Sequence, residues 1–234
     1  MGTYVLVHGA WHGGWCWRRV TPLLQAAGHA VFTPTLTGLG ERFHLASAEV
    51  DLDTHVQDVV NLLEFEELRD VILVGHSYGG MVITGVTERA ADRLQHVVYL
   101  DAFVPRDGQA LVDLLTPQFR DDLRQQAHAS GGRLPPFPVE RYGVFAAADV
   151  AWVTPKLVPH PAKTMTTPVS LTQPQALALP KTYVYCNKPA MGPFDQFVEQ
   201  VRTTPGWQYR ELATGHDAMV TMPHELTELL LELA

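Results

Sequence analysis

The chain has 234 residues, 46% of them apolar and 18% charged, with a formal net charge of −8. That is ample apolar material for one α/β core, and the acidic balance, with no lysine/arginine run, argues against nucleic acid or an anionic membrane as a partner. Neither the number nor the setting of Cys16 and Cys186 suggests a disulfide framework, and no stretch approaches the ~18 apolar residues of a membrane span.

The first element is Tyr4–His8, an apolar run that reads as a buried strand. No signal peptide is therefore expected, and the cytoplasm is the expected location. Next comes His8-Gly9-Ala10-Trp11-His12-Gly13-Gly14-Trp15. A glycine-rich loop after an early strand is where a backbone N–H can meet a developing oxyanion, which nominates Ala10. The same glycines also suit a tight strand-to-helix turn. His8 and His12 have helical metal-ligand spacing but sit on a loop without a third ligand, so no metal is expected. A helix over Trp17–Ala27 stopped by Gly28, a strand over Ala30–Pro34 and a helix over Asp53–Glu67 follow.

The apolar strand Val71–Gly75 then runs into Gly75-His76-Ser77-Tyr78-Gly79-Gly80, and a helical pattern covers Tyr78–Ala91. A sharp strand-to-helix turn forces strained angles on Ser77, leaves room only for glycine beside it, and lifts the hydroxyl above the sheet. The helix start turns free N–H groups toward the same spot, with Tyr78 as the second oxyanion donor. Gly-x-Ser-x-Gly alone is common; the strand before it and the helix after it are the context the motif requires. His76 reads as packing.

A strand over His96–Leu100 leads into Leu100-Asp101-Ala102-Phe103. From Pro105 to Pro180 the alternation of strands and helices breaks down. One helical pattern (Leu111–Ala129) precedes a proline-punctuated stretch, and a loop of that length implies a functional insertion. The expected organisation is a core of residues 1–104 and 181–234 with a small helical cap at 105–180. Phe103, Phe119, Tyr142, Phe145 and Trp152 are candidates for a pocket roof, with Trp11, His12 and Met219 at the rim. Ordinary packing is the competing reading for each aromatic.

The last elements are a strand at Thr182–Cys186, a helix at Pro193–Thr203, a strand at Gln208–Leu212 and a helix at Pro223–Leu233. Gly215-His216-Asp217 follows the last strand, where a histidine can swing over the sheet's carboxyl end and accept the Ser77 proton. The carboxylate that would orient His216 is ambiguous. Asp101, at the end of a strand neighbouring that of Ser77, is preferred, and Asp195 on the helix after Pro193 is second. Asp217 ranks last because a side chain adjacent to the base tends to project away. Strands joined by helices imply a mostly parallel sheet covered on both faces.

These motifs together resemble the α/β-hydrolase superfamily over essentially the whole chain. Within it the chain is most similar to small esterases related to plant salicylate methyl-esterases and hydroxynitrile lyases, especially their bacterial homologues. The resemblance rests on Val7 to Trp17, Gly75 to Gly80, Leu100 to Pro105 and Gly215 to Val220. It implies an α/β-hydrolase fold, a mostly parallel sheet flanked by helices with a small helical cap insertion. The plant enzymes carry their acid in the loop after the strand equivalent to Thr182–Cys186, and Asn187-Lys188-Pro189 lacks it. Hydroxynitrile lyases of this branch have a threonine where Ala10 stands and a lysine after the catalytic histidine, where this chain has Asp217. An aspartate cannot stabilise departing cyanide.

The expectation is a carboxylic-ester hydrolase without a cofactor, acting on a small to medium apolar ester through Ser77, His216 and an aspartate. A serine at the turn excludes the dehalogenase and epoxide hydrolase variants, which need a carboxylate there. The rival readings are a carbon–carbon lyase or cyclase on the same site, and a small-molecule receptor in which serine and histidine are relics. A homodimer is carried as an alternative to a monomer.

Overall fold

The computed structural model describes residues 2–233. Strand β1 (Thr3–Val7), helix α1 (Thr21–Ala26), β2 (Ala30–Phe32), α2 (Leu52–Phe65), β3 (Val71–His76), α3 (Gly79–Ala90) and β4 (Leu94–Leu100) form the first half. The segment after β4 holds α4 (Pro117–Ala129), β5 (Arg133–Leu134), α5 (Ala147–Val153), β6 (His160–Pro161), α6 (Lys163–Thr166) and α7 (Pro174–Ala178). The chain ends in β7 (Lys181–Cys186), α8 (Asp195–Thr203), β8 (Trp207–Leu212), α9 (Ala218–Thr221) and α10 (Pro223–Leu231).

Six strands make one sheet in the order β2-β1-β3-β4-β7-β8, and every neighbouring pair is parallel. Strand β3 sits third in that order with all six residues buried, as a strand covered on both faces must be. Tyr4, Leu6, Ile72, Leu73, Val97 and Leu100 have no exposed surface, and burying each such side chain contributes about 1.5–3 kcal/mol. The Tyr4 hydroxyl donates to the Leu230 carbonyl at 2.8 Å, tying β1 to the last helix. Both cysteines are buried and unpaired. Among the described residues no helix is long and apolar enough to cross a membrane.

Two helices expected as continuous are split, each at a proline. The Trp17–Ala27 pattern becomes a 3-10 turn (Gly14–Arg19) followed by α1, because Pro22 lacks an N–H and belongs in a helix's first turn. The Leu111–Ala129 pattern becomes a 3-10 turn (Leu111–Leu114) followed by α4, where Pro117 opens the helix and the Thr116 side chain caps the Phe119 N–H. Short α5, α6 and α7, each seven residues or fewer, carry too little periodicity to be read from sequence. Between β4 and β7, β5 and β6 pair antiparallel as a two-residue ribbon.

Candidate active site

Ser77 sits between β3 and α3 with φ +55°, inside the left-handed region. Holding a non-glycine residue there costs about 1–2 kcal/mol. Both of its backbone groups are tied to the adjacent strand end: its N–H donates to the Leu100 carbonyl and its carbonyl accepts from the Phe103 N–H, each at 3.2 Å. The glycines around it are steric necessities. A Cβ on Gly75 would lie 2.7 Å from the Gly79 carbonyl oxygen, and one on Gly79 would lie 2.9 Å from the carbonyl oxygens of Val7 and His8.

His216 lies on the loop between β8 and α9 and is nearly fully buried. Its Nδ1 meets Asp101 Oδ2 at 2.6 Å, and the other carboxylate oxygen of Asp101 accepts from the Cys186 N–H at 3.1 Å. A carboxylate only accepts, so Nδ1 carries the proton and Nε2 is left with its lone pair. Burial pushes the Asp101 carboxyl above the usual carboxylate range, against the opposing pull of the His216 hydrogen bond and charge and of the Cys186 N–H. The His216 ring is stacked on Phe194, with centroids 4.7 Å apart and planes 14° apart. Its carbonyl accepts from His76 Nε2 at 3.0 Å.

Asp195 lies elsewhere. It is exposed at the start of α8, where it accepts a hydrogen bond from the Tyr185 hydroxyl. Asp217 gives the His216 ring no hydrogen bond among the described residues. It is wholly buried and meets His12 Nε2 at 3.1 Å.

The Ala10 and Tyr78 N–H groups have no hydrogen-bond acceptor among the described residues. The loop that carries Ala10 is pinned to the segment after β4 through Trp11, which has φ +64°. Its indole N–H donates to the Leu134 carbonyl at 2.9 Å, and its carbonyl accepts from the Val158 N–H at 3.1 Å.

Ser77 opens into a narrow crevice walled by carbon, with a free volume of about 40 Å³. Trp11, Phe103 and Phe119 line it together with Leu111, Leu115, Leu123, Phe137, Met165, Met191, Pro193 and Phe194. A wider, solvent-open groove adjoins it at Leu115, Phe119 and Pro193, and there the Arg141 guanidinium lies over the Phe137 ring at 4.3 Å.

Five expected pocket residues lie outside that wall. His12 is buried behind the site in its pairing with Asp217. Tyr142 is buried, its hydroxyl accepting from the Phe137 N–H, so it supports the wall from behind. Phe145 is 63% exposed. Trp152 packs outside, edge-on to Trp15 and beneath the Arg19 guanidinium. Met219 is fully buried on α9, in the core. The wall residues that went unrecognised carried a signal nonetheless: Leu111, Leu115 and Leu123 fall with the expected Phe119 at every fourth position, one apolar stripe that continues across the Pro117 break.

Residues 4–229 match the model of the alpha/beta hydrolase family. The chain belongs to this family. It is an enzyme fold with its expected parallel sheet and flanking helices, and the resemblance drawn from the motifs is borne out. The chain is 43% identical to a carbendazim hydrolyzing esterase of Nocardioides sp. (strain SG-4G), with 100% of both chains covered. It is 28% identical to a pheophorbidase of Raphanus sativus, over 97% of this chain and 92% of that one. Among solved structures, an extracellular alpha/beta-hydrolase from a Paenibacillus species, described as sharing structural and functional homology with tobacco salicylic acid binding protein 2, superposes with a TM-score of 0.88. It is 28% identical and covers 100% of this chain and 99% of its own.

Proposed function

We propose that this α/β-hydrolase is a serine carboxylesterase that forms an acyl-enzyme on Ser77 and takes a small to medium, apolar acyl group. The observation that carries the reading is a serine held at +55° on a strand-to-helix turn, at the mouth of a carbon-walled crevice, in a site whose histidine is bonded at 2.6 Å to a buried aspartate. The esterase name of the full-length Nocardioides relative points the same way.

In this mechanism the Ser77 oxygen attacks the ester carbonyl while His216 Nε2 takes its proton. Asp101 keeps Nδ1–H in place and stabilises the imidazolium that forms. The Ala10 and Tyr78 N–H groups, free of competing acceptors, receive the oxyanion, a role in which one donor is worth about 2.7–4 kcal/mol. The imidazolium returns its proton to the departing alcohol. Water then attacks the acyl-enzyme, giving its proton to His216, and Ser77 is regenerated as the acid leaves. A crevice with almost no polar lining gives an apolar acyl group a dry site but offers an anionic one no partner. Asp217, a carboxylate, stands where hydroxynitrile lyases of this branch carry a lysine and offers no ammonium to departing cyanide, which favours hydrolysis over cyanohydrin cleavage.

The test is turnover of p-nitrophenyl and methyl esters of graded acyl length, with carbendazim included, by wild type and Ser77→Ala. Turnover by wild type with a loss of at least about 10⁴-fold in Ser77→Ala is expected. A wild type that neither turns over any of these nor is labelled by a serine-directed phosphonate would refute the reading.

A further inference from the structure

Behind His216 lies a second histidine–carboxylate pair that the reaction just described leaves unused. His12 is wholly buried on the loop that carries Ala10, and Asp217 is wholly buried on the loop that carries His216. His12 Nε2 meets Asp217 Oδ2 at 3.1 Å, and His12 Nδ1 meets the Ala10 carbonyl oxygen at 2.7 Å.

Hydrogen-bond partners decide the charge on this ring. His8 faces one acceptor, the Gly9 carbonyl, and one donor, the Leu36 N–H. His55 faces the Thr37 carbonyl and the Tyr78 hydroxyl. His160 faces Thr164 Oγ1, whose own proton goes to the Pro161 carbonyl, and the Trp11 N–H. Each of these is satisfied as a neutral imidazole. His12 faces a carbonyl and a carboxylate, so with Asp217 ionised each nitrogen carries a proton and the ring is a cation.

The second Asp217 oxygen, Oδ1, has no hydrogen-bond partner among the described residues and lies 3.8 Å from His76 Nε2. Trp15 stacks on His12 with centroids 5.5 Å apart, and Tyr142 meets it edge-on at 5.5 Å. His76 lies edge-on at 6.3 Å, its Nε2–H committed to the His216 carbonyl and its Nδ1 without a donor. Burial, His216 and His12 hold the His76 ring well below the usual histidine range, and burial pushes His8 down to about 3. The Cys16 thiol near Asp217 is pushed upward, first by burial and then by that carboxylate. Burial also lowers His12, but the Asp217 charge, its hydrogen bond and the Ala10 carbonyl outweigh it and leave His12 raised.

We propose that the His12–Asp217 ion pair is a positioning clamp that locks the oxyanion loop to the loop of the catalytic base. One end grips the carbonyl of Ala10, the residue whose N–H receives the oxyanion; the other end is covalently next to His216. The two loops are 205 residues apart in sequence. Burying two charges is costly enough that an apolar pair could serve stability as well, so stability alone does not account for this one. The clamp rests on the hydrolase reading for its purpose, but the cation at its centre does not.

The experiment joins ¹⁵N-histidine NMR with kinetics. In wild type, one histidine stays doubly protonated at about pH 8, above the range in which free imidazole holds its second proton, and Asp217→Asn removes that signal. In Asp217→Asn and in His12→Gln, each checked for folding by circular dichroism, kcat falls about a hundredfold while KM stays within about threefold, as expected of a displaced donor and base. The double variant loses little more than either single one. A wild type with no cationic histidine at that pH overturns the proposal whether or not any variant folds. So does a folded Asp217→Asn that keeps kcat within threefold. If wild type cleaves no ester yet shows the cation, the clamp's chemistry stands and the hydrolase reading fails.

Discussion

Asp101→Asn tests the proposed triad most sharply, because the structure fixes what the amide must do. The carboxylate now accepts from both sides, His216 Nδ1–H at 2.6 Å and the Cys186 N–H at 3.1 Å. An asparagine can keep only one of these bonds. If its oxygen stays on the Cys186 N–H, its NH₂ faces Nδ1, and His216 must carry its proton on Nε2, where it cannot take one from Ser77. If it flips, His216 keeps the productive tautomer but NH₂ is driven against the Cys186 N–H. Leaving that buried donor unpaired costs about 1–3 kcal/mol, so roughly 1–15% of molecules are productive. Those molecules also lose the charge facing the imidazolium, about 1–1.5 kcal/mol more and so about another tenfold. The expected fall in kcat is about 10²- to 10³-fold, below the ~10⁴ found for the equivalent change in serine proteases, with KM little altered. Stopped-flow burst and steady-state kinetics on p-nitrophenyl acetate would measure it, with Asp195→Asn as the comparison. Asp195 bonds only to the exposed side of Tyr185, so its loss should change kcat by less than about threefold. An Asp101→Asn enzyme that retains a tenth of wild-type kcat, or a larger fall in Asp195→Asn, would refute the reasoning.

Two further outcomes follow from burial. Lowering the pH from about 7.5 to about 5 should destabilise the fold: His8 and His55 are pushed down to about 3 and about 4 by burial, while in the unfolded chain both titrate near 6.5. Between those limits the unfolded state binds more protons, so stability falls with pH, by about 2 kcal/mol for each of the two at pH 5. His76 and His160, also lowered by burial, act in the same direction. His12, raised, has the opposite sign; its contribution is complete below about 6.5 and is lost as pH rises through its folded value. Urea midpoints that do not move between pH 7.5 and 5 would contradict the neutral buried histidines. Met165→Ala should lengthen the preferred acyl chain by about one or two methylenes, each near fourfold in kcat/KM, since Met165 is buried in the crevice wall. Its stability cost is about 2–5 kcal/mol, and an unchanged chain-length profile in a folded variant would remove the crevice as the acyl site.

The fold and the turn that carries the proposed nucleophile were legible because their signals are local. Val71 to Gly80 states strand, turn and helix within ten residues, and the six strand patterns needed only parallel order to become the sheet. The crevice was less legible because cap residues lie in short turns and helices whose inward face no period announces. Trp152 and Phe145 look like Phe119 and Phe137 in sequence; one pair faces outward and the other walls the crevice. The pairing of Asp217 was illegible for a related reason. Its partner His12 comes from a loop 205 residues away, and no reading of Gly215-His216-Asp217 alone reveals it.

Under the proposed mechanism, the position of Asp101 fills an apparent gap in the family pattern. The resemblance points to a carboxylate in the loop after β7, and Asn187-Lys188-Pro189 has none. Yet β4 and β7 are adjacent and parallel, so the end of β4 lies one strand spacing, about 4.8 Å, from Val184 near the end of β7. At φ +42° Asp101 leaves β4 at a sharp angle, its N–H still donating to Val184 of β7 at 2.7 Å. Its side chain then crosses to the Cys186 N–H at the end of β7. A carboxylate therefore stands at the end of β7 even though a different strand supplies it. What catalysis requires is a buried acceptor within reach of the histidine's Nδ1, and in a parallel sheet either of two neighbouring strand ends can meet that requirement.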